Sequence, residues 1–494
     1  MSGAEVLELG AASLADAVRA GRVRAGAAVE ASLGAADAAA SLNAFVARHA
    51  STRAAFAAAE RVGGDAAVRR RLARGKGGGV LAGVPVAISD DLADLALPTT
   101  AGSRLLAGYV SPYEATAVAR LLDAGAAVVG KTNMDEFGMG ASTEHSAHGP
   151  TRNPVDRARA PGAVGGSAAA VAAGTVRIAL GTDTGGAVRQ AAAYCGVVGV
   201  KPTYGRVSRS GLIAHAPSLD QVGVFGRTVD DAAVALEVIS GRDPRDATSA
   251  DLAVPRLRPD AGPVEDGRPL RGVRVGRPRE YFADALDAAV RARVEAALAL
   301  ARDLGAEIKD VALGRTQLAL PAYHAIACAE GASSLARYDG VRFGRRAAGG
   351  SARAVYEATR TTGFGAEATR RIVLGTHLLS GRDADAHYRK AQDARARIAH
   401  DFADVFDDVD LLLTPTTPTT AFALGAAPAL AAALQHDTFT VAVNLAGLPA
   451  LSLPVGRVSG LPIAAQLVAP HFGEALLLRA AAALERALGP EAHE

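Results

Sequence analysis

Residues 176–190 read Val176-Arg177-Ile178-Ala179-Leu180-Gly181-Thr182-Asp183-Thr184-Gly185-Gly186-Ala187-Val188-Arg189-Gln190. The first five residues are a short apolar, strand-like run, and the glycine-rich stretch after them is a turn signal ahead of a helical pattern. Glycines at a strand end before a helix let backbone N–H groups point into open space, where they can hold an anion or an oxyanion. A second such segment, Pro161-Gly162-Ala163-Val164-Gly165-Gly166-Ser167, leads into the helical run Ala168 to Ala173. Neither has the Lys then Ser or Thr of a phosphate-binding loop, nor the dinucleotide spacing.

The same texture recurs outward from these segments. Thr116 to Ala124 reads as a helix, Gly125 as its stop and Ala126 to Val129 as a buried strand. Leu286, Val290, Val294, Ala297, Ala301 and Leu304, spaced three and four apart, predict a helix that Gly305 ends before a strand at Ile308 to Val311. Val80 to Ile88 is another β-like run. Alternation of this kind predicts an α/β protein, a mixed central β-sheet covered by helices. Residues 1–70 are Ala-rich and read as an N-terminal helical segment packed on the core, and 71–494 as one large domain. The Pro-, Arg- and Asp-rich stretch 243–269 is linker-like, and fits an insertion within that domain as well as a boundary.

Composition narrows the function classes. The 494 residues are 49% hydrophobic and 21% charged, which excludes a disordered chain, and a net charge of +2 argues against direct nucleic-acid binding. The first nine residues lack a basic and apolar leader pattern, and no stretch matches a membrane span, so a cytoplasmic protein is expected. Cys195 and Cys328 are too few for a disulfide framework and badly spaced for zinc, and read as buried thiols; neither metal nor cofactor is expected. Lysine is rare: Lys76, Lys131, Lys201, Lys309 and Lys390 are all there are.

Several motifs together resemble the amidase signature enzymes. They are Gly83-Val84-Pro85-Val86-Ala87-Ile88, Thr99-Thr100-Ala101-Gly102-Ser103, Gly130 to Phe137, Thr151-Arg152-Asn153-Pro154 and Gly196 to Ser208. Leu335 to Gly340, Arg370-Arg371-Ile372 and Asn444 to Pro449 look like the branch formed by the A subunits of glutamyl-tRNA(Gln) and aspartyl-tRNA(Asn) amidotransferases. The resemblance implies a single α/β domain with a mixed sheet sandwiched between helices. It also implies amide hydrolysis by a Ser nucleophile, a bridging Ser and a Lys base, and a partner subunit that binds tRNA.

This chain departs from the family at all three catalytic positions. Ser89 stands where the family has the Lys, Ala187 where it has the nucleophile, and Ala163, in a loop one glycine short, where it has the bridging Ser. Ala187 has no heteroatom, and no lysine is placed to replace the base. Ser167 reads as an N-cap. What matches the family is the oxyanion-type turn Thr184, Gly185 and Gly186, and positions resembling the branch's glutamine clamp: Tyr323, an Arg at 370 or 371, and Asp437. Arg371 is the preferred arginine. A clamp of Arg and Asp suits an amino-acid-like, amide or carboxylate ligand. His145 and His148 stand near the former site, and His145 is a candidate acid or base in company with Asp90 or Asp91; His324, beside Tyr323, is a weaker one.

The expectation from these losses is an amidase-fold protein that no longer hydrolyses amides. It would be a repurposed non-hydrolytic enzyme, a cyclase, lyase or acyl-handling catalyst of specialised metabolism. Two alternatives stand beside it. One is a non-catalytic scaffold or partner subunit of an amidotransferase-like complex, the other an active amidase or amidotransferase with an altered mechanism. A partner protein or self-association fits any of them.

Overall fold

The computed structural model describes residues 2–55, 79–259, 267–283, 286–380, 383–426 and 436–489. Its centre is one eleven-stranded sheet in the order β1-β3-β2-β4-β6-β5-β10-β11-β9-β7-β8. The strands are β1 (Phe45–Arg48), β2 (Pro85–Ser89), β3 (Ala127–Thr132), β4 (Ile178–Thr182), β5 (Val198–Lys201) and β6 (Val222–Gly226). They continue as β7 (Arg274–Pro278), β8 (Glu307–Val311), β9 (Leu411–Pro415), β10 (Ala450–Val458) and β11 (Leu461–Val468). β2 runs parallel to both β3 and β4, whereas β4–β6, β5–β6 and β10–β11 are antiparallel, so the sheet is mixed as expected.

Successive residues of a strand face opposite sides, and both sides of this sheet are apolar. On β2, Val86 and Ile88 join the large cluster that includes Leu180, Val198 and Val200, while Ala87 joins a second cluster with Val129, Ala179 and Phe225. Strands buried on both faces read as continuous hydrophobic runs, which is the pattern of β4 and β5. Each fully buried Val, Leu or Ile here contributes roughly 1.5–3 kcal/mol relative to exposure. The helices Gly165–Ala172 and Ala187–Cys195 supply much of the second cluster, and Val229–Ile239, Ala288–Asp303 and Glu474–Leu488 cover the other face.

The first 55 residues are not purely helical. After helices at Gly3–Glu8, Ala11–Arg19 and Ala25–Ala38, the chain adds β1 as an antiparallel edge strand on β3. The Ala11 N–H donates to Asp231 at 2.7 Å, and Asp231 in turn pairs with Arg177 at 3.0 Å. That ties the N-terminal helices to the main body. The linker-like stretch is pinned as far as it is described: Ser208 donates to Asp243 at 2.7 Å and Arg258 pairs with Asp230 at 3.0 Å. Among the described residues no helix is long and apolar enough to cross a membrane.

Candidate active site

β4 delivers the chain into the turn Asp183–Gly186, and the helix Ala187–Cys195 follows. A buried polar knot fixes this turn. Asp183 is fully buried, pairs with Arg189 at 3.0 Å, and accepts from Asn444 at 2.8 Å and from the Val188 N–H at 3.2 Å. Arg189 spends a further N–H on Gln466 at 2.6 Å, so neither partner of the ion pair is left bare, the condition under which burying charge is tolerated. Burial would raise the Asp183 carboxyl, but Arg189 outweighs it with its neighbours and holds the carboxyl below its usual range. Thr184 donates to Asp220 at 2.7 Å, and Asp220 also accepts from the N–H groups of His215 and Ala216. Gly186 sits at φ 131°, a conformation that favours glycine. No protein acceptor is found among the described residues for the Gly185 and Gly186 N–H groups.

Of the three triad-equivalent positions, Ala187 follows this turn directly, while Ser89 and Ala163 lie on other segments. Ser89 ends β2, is fully buried, and donates to Met134 Sδ at 3.4 Å. Ala163 is 1% exposed, and its neighbour Val164 shares an apolar cluster with Ala87, Met134, Val188 and Ala191. Ala187 opens the helix. Every peptide bond among the described residues is trans. Ser167 is not an N-cap: the helix starts at Gly165 after Val164, and the Ser167 hydroxyl lies 2.6 Å from Thr132 Oγ1 and 2.8 Å from the Leu180 carbonyl, bridging β3 and β4.

The lysines stand elsewhere. Lys131 and Lys201 are buried with Nζ bonded to the Leu92 and Leu448 carbonyls, Lys309 is bound at the sheet edge to Glu307, and Lys390 is exposed. Lys76 lies outside the described residues.

Asp90 is consumed by the fold, accepting from the N–H groups of Thr100 and Gly102 and from the Thr100 hydroxyl. Asp91, which the sequence offers only as a companion for a histidine, is the unusual group. It is 4% exposed, its Oδ2 accepts from Thr182 at 2.6 Å, and its Oδ1 has no hydrogen-bond partner among the described residues. Burial pushes its carboxyl up to about 6, against the opposing pull of the Thr182 and Ser89 hydroxyls.

His145 does not join Asp90 or Asp91. It is exposed, and its main-chain N–H donates to Asp135 at 2.9 Å, because the loop turns the side chain outward. His148 is the histidine that reaches this region, 2.8 Å from Thr100 Oγ1 and so one hydroxyl away from Asp90.

The clamp residues come together. Tyr323, on the helix Ala319–Leu335, packs so tightly on Gly185 that a Cβ there would overlap its ring. Asp437 accepts from Gln190 at 2.8 Å, and burial raises its carboxyl to about 6. Arg371 is 6% exposed, donates to Glu367 at 2.7 Å, and lies close enough to Tyr323 for each to influence the other's ionisation. Arg370, further out, is held by the same Glu367. His324 Nε2 lies 4.0 Å from Asp437 and, among the described residues, has no hydrogen-bond partner, and neither nitrogen of buried His215 has one there. Burial first, and Arg371 second, lower both imidazoles to about 3, so both are neutral. Nothing in the sequence singles out His215; only its burial beside Arg371 does. A surface cleft of about 530 Å³, lined in part by Tyr109, Ile213, Ala214 and Arg337, adjoins the site, since the Ile213 N–H bonds the Asp91 carbonyl. No group of three His, Cys, Asp or Glu side chains fit for a metal occurs among the described residues.

The profile of the family described as Amidase matches residues 27–478. The A subunit of glutamyl-tRNA(Gln) amidotransferase from Koribacter versatilis (strain Ellin345) is 52% identical over 413 residues, 83% of this chain and 85% of that protein. Its counterpart from Anaeromyxobacter sp. (strain K) is 53% identical over 425 residues, 85% of each. The crystal structure of the glutamyl-tRNA(Gln) amidotransferase A subunit from Thermotoga maritima matches with a TM-score of 0.77 and 37% identity, covering 98% of this chain and 94% of that one.

These relatives overturn the expectation of a repurposed, non-hydrolytic enzyme: chains half identical to this one over most of its length are amidotransferase A subunits. The side chains at 89, 163 and 187 carry a narrower meaning, which is that no acyl-enzyme forms on residue 187. The profile match across 452 residues and the relatives' identity lead to one conclusion, that the chain belongs to the amidase signature family.

Proposed function

We propose that the chain is an A-type amidotransferase subunit that takes a glutamine-like amide and frees its nitrogen by an altered mechanism, working with a partner protein. The 52% identity to an amidotransferase A subunit over 83% of the chain carries this reading. The site's chemistry supports it. Arg371 offers a buried cation for a carboxylate, Asp437 an acceptor for an ammonium group, and the Gly185 and Gly186 N–H groups a cradle for the oxygen of a reacting amide. Tyr323 links the two halves of the pocket by packing on Gly185. The turn's geometry does not depend on residue 187, because Asp183, Arg189 and Asn444 hold it from beneath.

The test is ammonia release from L-glutamine, and amidation of glutamyl-tRNA, by the chain alone and with the other amidotransferase subunits of its own organism. Release and amidation that require this chain are expected. A complete complex that yields no ammonia from glutamine overturns the reading.

A further inference from the structure

We propose that Asp91 is a catalytic general base that activates water for direct attack on the substrate amide, so that the site works without a covalent intermediate. The inference rests on the amidotransferase reading above and names the group that performs its chemistry.

The first observation is the Asp91 carboxylate itself. Native proteins pair nearly all buried polar atoms, and a carboxylate oxygen without a donor is an exception that needs a cause. Asp91 Oδ1 is such an atom among the described residues, the neighbouring Ser89 hydroxyl being turned to Met134 Sδ, while Oδ2 is held by Thr182 at 2.6 Å. One oxygen therefore anchors the group and the other is left to accept a proton. The second observation is place. Asp91 follows directly on β2, whose Ile88 is in register with Leu180 of β4, and Thr182 at the end of β4 lies just before the turn that bears Gly185 and Gly186. The carboxylate is thus fastened to the same strand end that presents the oxyanion donors.

Of the other buried carboxylates of this region, Asp437 takes a donor from Gln190 and belongs to the proposed clamp, while three more are already saturated. Asp90 takes three donors, Asp220 three, and Asp183 is bound by Arg189, Asn444 and the Val188 N–H. Two further buried carboxylate oxygens lack hydrogen-bond partners among the described residues, on Glu114 beside Leu95 and on Glu474, whose Oε2 instead pairs with Arg206 at 3.5 Å. Ser89, fully buried against Met134, and Ala187, a methyl, leave an external nucleophile as the attacking group.

The step balances with water as the only co-reactant. Asp91 Oδ1 takes a proton from water while the water oxygen forms a bond to the amide carbon. The carbonyl π pair moves onto its oxygen, where the Gly185 and Gly186 N–H groups hold it. The pair then returns to re-form C=O, the C–N bond breaks, and the leaving nitrogen takes the proton back from Asp91. Amide and water become carboxylic acid and ammonia, and Asp91 is regenerated.

The experiment uses the complete amidotransferase complex with L-glutamine, with and without hydroxylamine. Wild type is expected to release ammonia and form no glutamyl hydroxamate, because no acyl-enzyme exists for hydroxylamine to intercept. Asp91→Asn is expected to lower kcat by about 10²–10⁴-fold, the usual contribution of a positioned base, with glutamine affinity by calorimetry retained. Thr182→Val, which frees the anchor but leaves the base, is expected to lower kcat with KM little changed, and decides the matter if Asp91→Asn does not fold. Hydroxamate formation by wild type, or full activity in Asp91→Asn, overturns the assignment while leaving the amidotransferase reading intact. A wild-type complex that releases no ammonia removes the reading and this assignment together.

Discussion

The ring of Tyr323 fills the space that a Cβ on Gly185 would need. This contact couples the helix Ala319–Leu335 to the turn ahead of Ala187, and so joins the proposed ligand clamp to the proposed oxyanion donors. Gly185→Ala forces the phenol away or shifts the turn. Overpacking of this kind typically costs about 1–3 kcal/mol. The variant is expected to melt at a lower temperature and to bind glutamine more weakly, measured by calorimetry, with the KM effect exceeding the loss of stability. Unchanged affinity would show that Tyr323 packs on the turn without serving the ligand.

Arg371 is buried, bonded to Glu367, and close to Tyr323, His215 and His324. Replacing it by Met keeps the apolar stem and removes the charge. Hydrogen bonds to charged groups contribute about 1.5–3 kcal/mol, so Arg371→Met is expected to weaken glutamine binding about 10- to 100-fold. Arg370→Met, at the more exposed neighbour of the same Glu367, is expected to change affinity far less. Steady-state KM for both variants checks this, and equal losses would mean that Arg371 has no special place in the clamp.

The pH dependence follows from Asp91. Its folded pKa of about 6 lies above the unfolded value of 3.8 because burial disfavours the charge, and Asp90 and Lys131 are the charged groups that face it. A raised carboxyl pKa gives a contribution to stability that is whole below about pH 4 and lost as pH rises through 6. Roughly two pK units correspond to on the order of 3 kcal/mol. Asp91→Asn is therefore expected to be more stable than wild type at pH 8, with the gain vanishing near pH 4, in melting experiments across that range. The same ionisation puts the acid limb of kcat near pH 6 in wild type.

How much of this is legible in the chain depends on range. The strand–turn–helix at 176–190 and the helix–strand unit at 116–132 are readable because hydrophobic period and glycine stops are local signals. The motif resemblance points to Ser89, Ala163, Ala187, Tyr323 and Asp437, residues far apart in the chain, of which the fold brings Tyr323 onto Gly185 and Asp437 onto Gln190 just after Ala187. Ser167 reads as a cap in the sequence because its two partners, Thr132 and the Leu180 carbonyl, come from other strands. His145 stands out over His148 for a similar reason: only the folded loop shows that one points outward and the other reaches Thr100. Asp91 is visible but mute, since an oxygen's lack of a partner is a property of the whole packed site. The expectation of a non-hydrolytic enzyme fails on different ground, because the loss of a serine is not the loss of a reaction.

His215 gives the last test. Both its nitrogens are buried without hydrogen-bond partners among the described residues, it packs near Gly331, and burial and then Arg371 keep it neutral. A buried polar group without a hydrogen bond costs about 1–3 kcal/mol, so an imidazole kept here for stability alone is a poor choice. His215→Phe substitutes an apolar ring of similar shape and removes that penalty. The ligand-free variant is expected to melt higher than wild type, while the rise in melting temperature on adding glutamine shrinks, because the ligand loses a neutral donor or acceptor beside Arg371. The two shifts in opposite directions separate a binding role from a packing role. If His215→Phe is more stable and responds to glutamine as fully as wild type, the imidazole takes no part in the pocket, and the clamp consists of Tyr323, Arg371 and Asp437 without it.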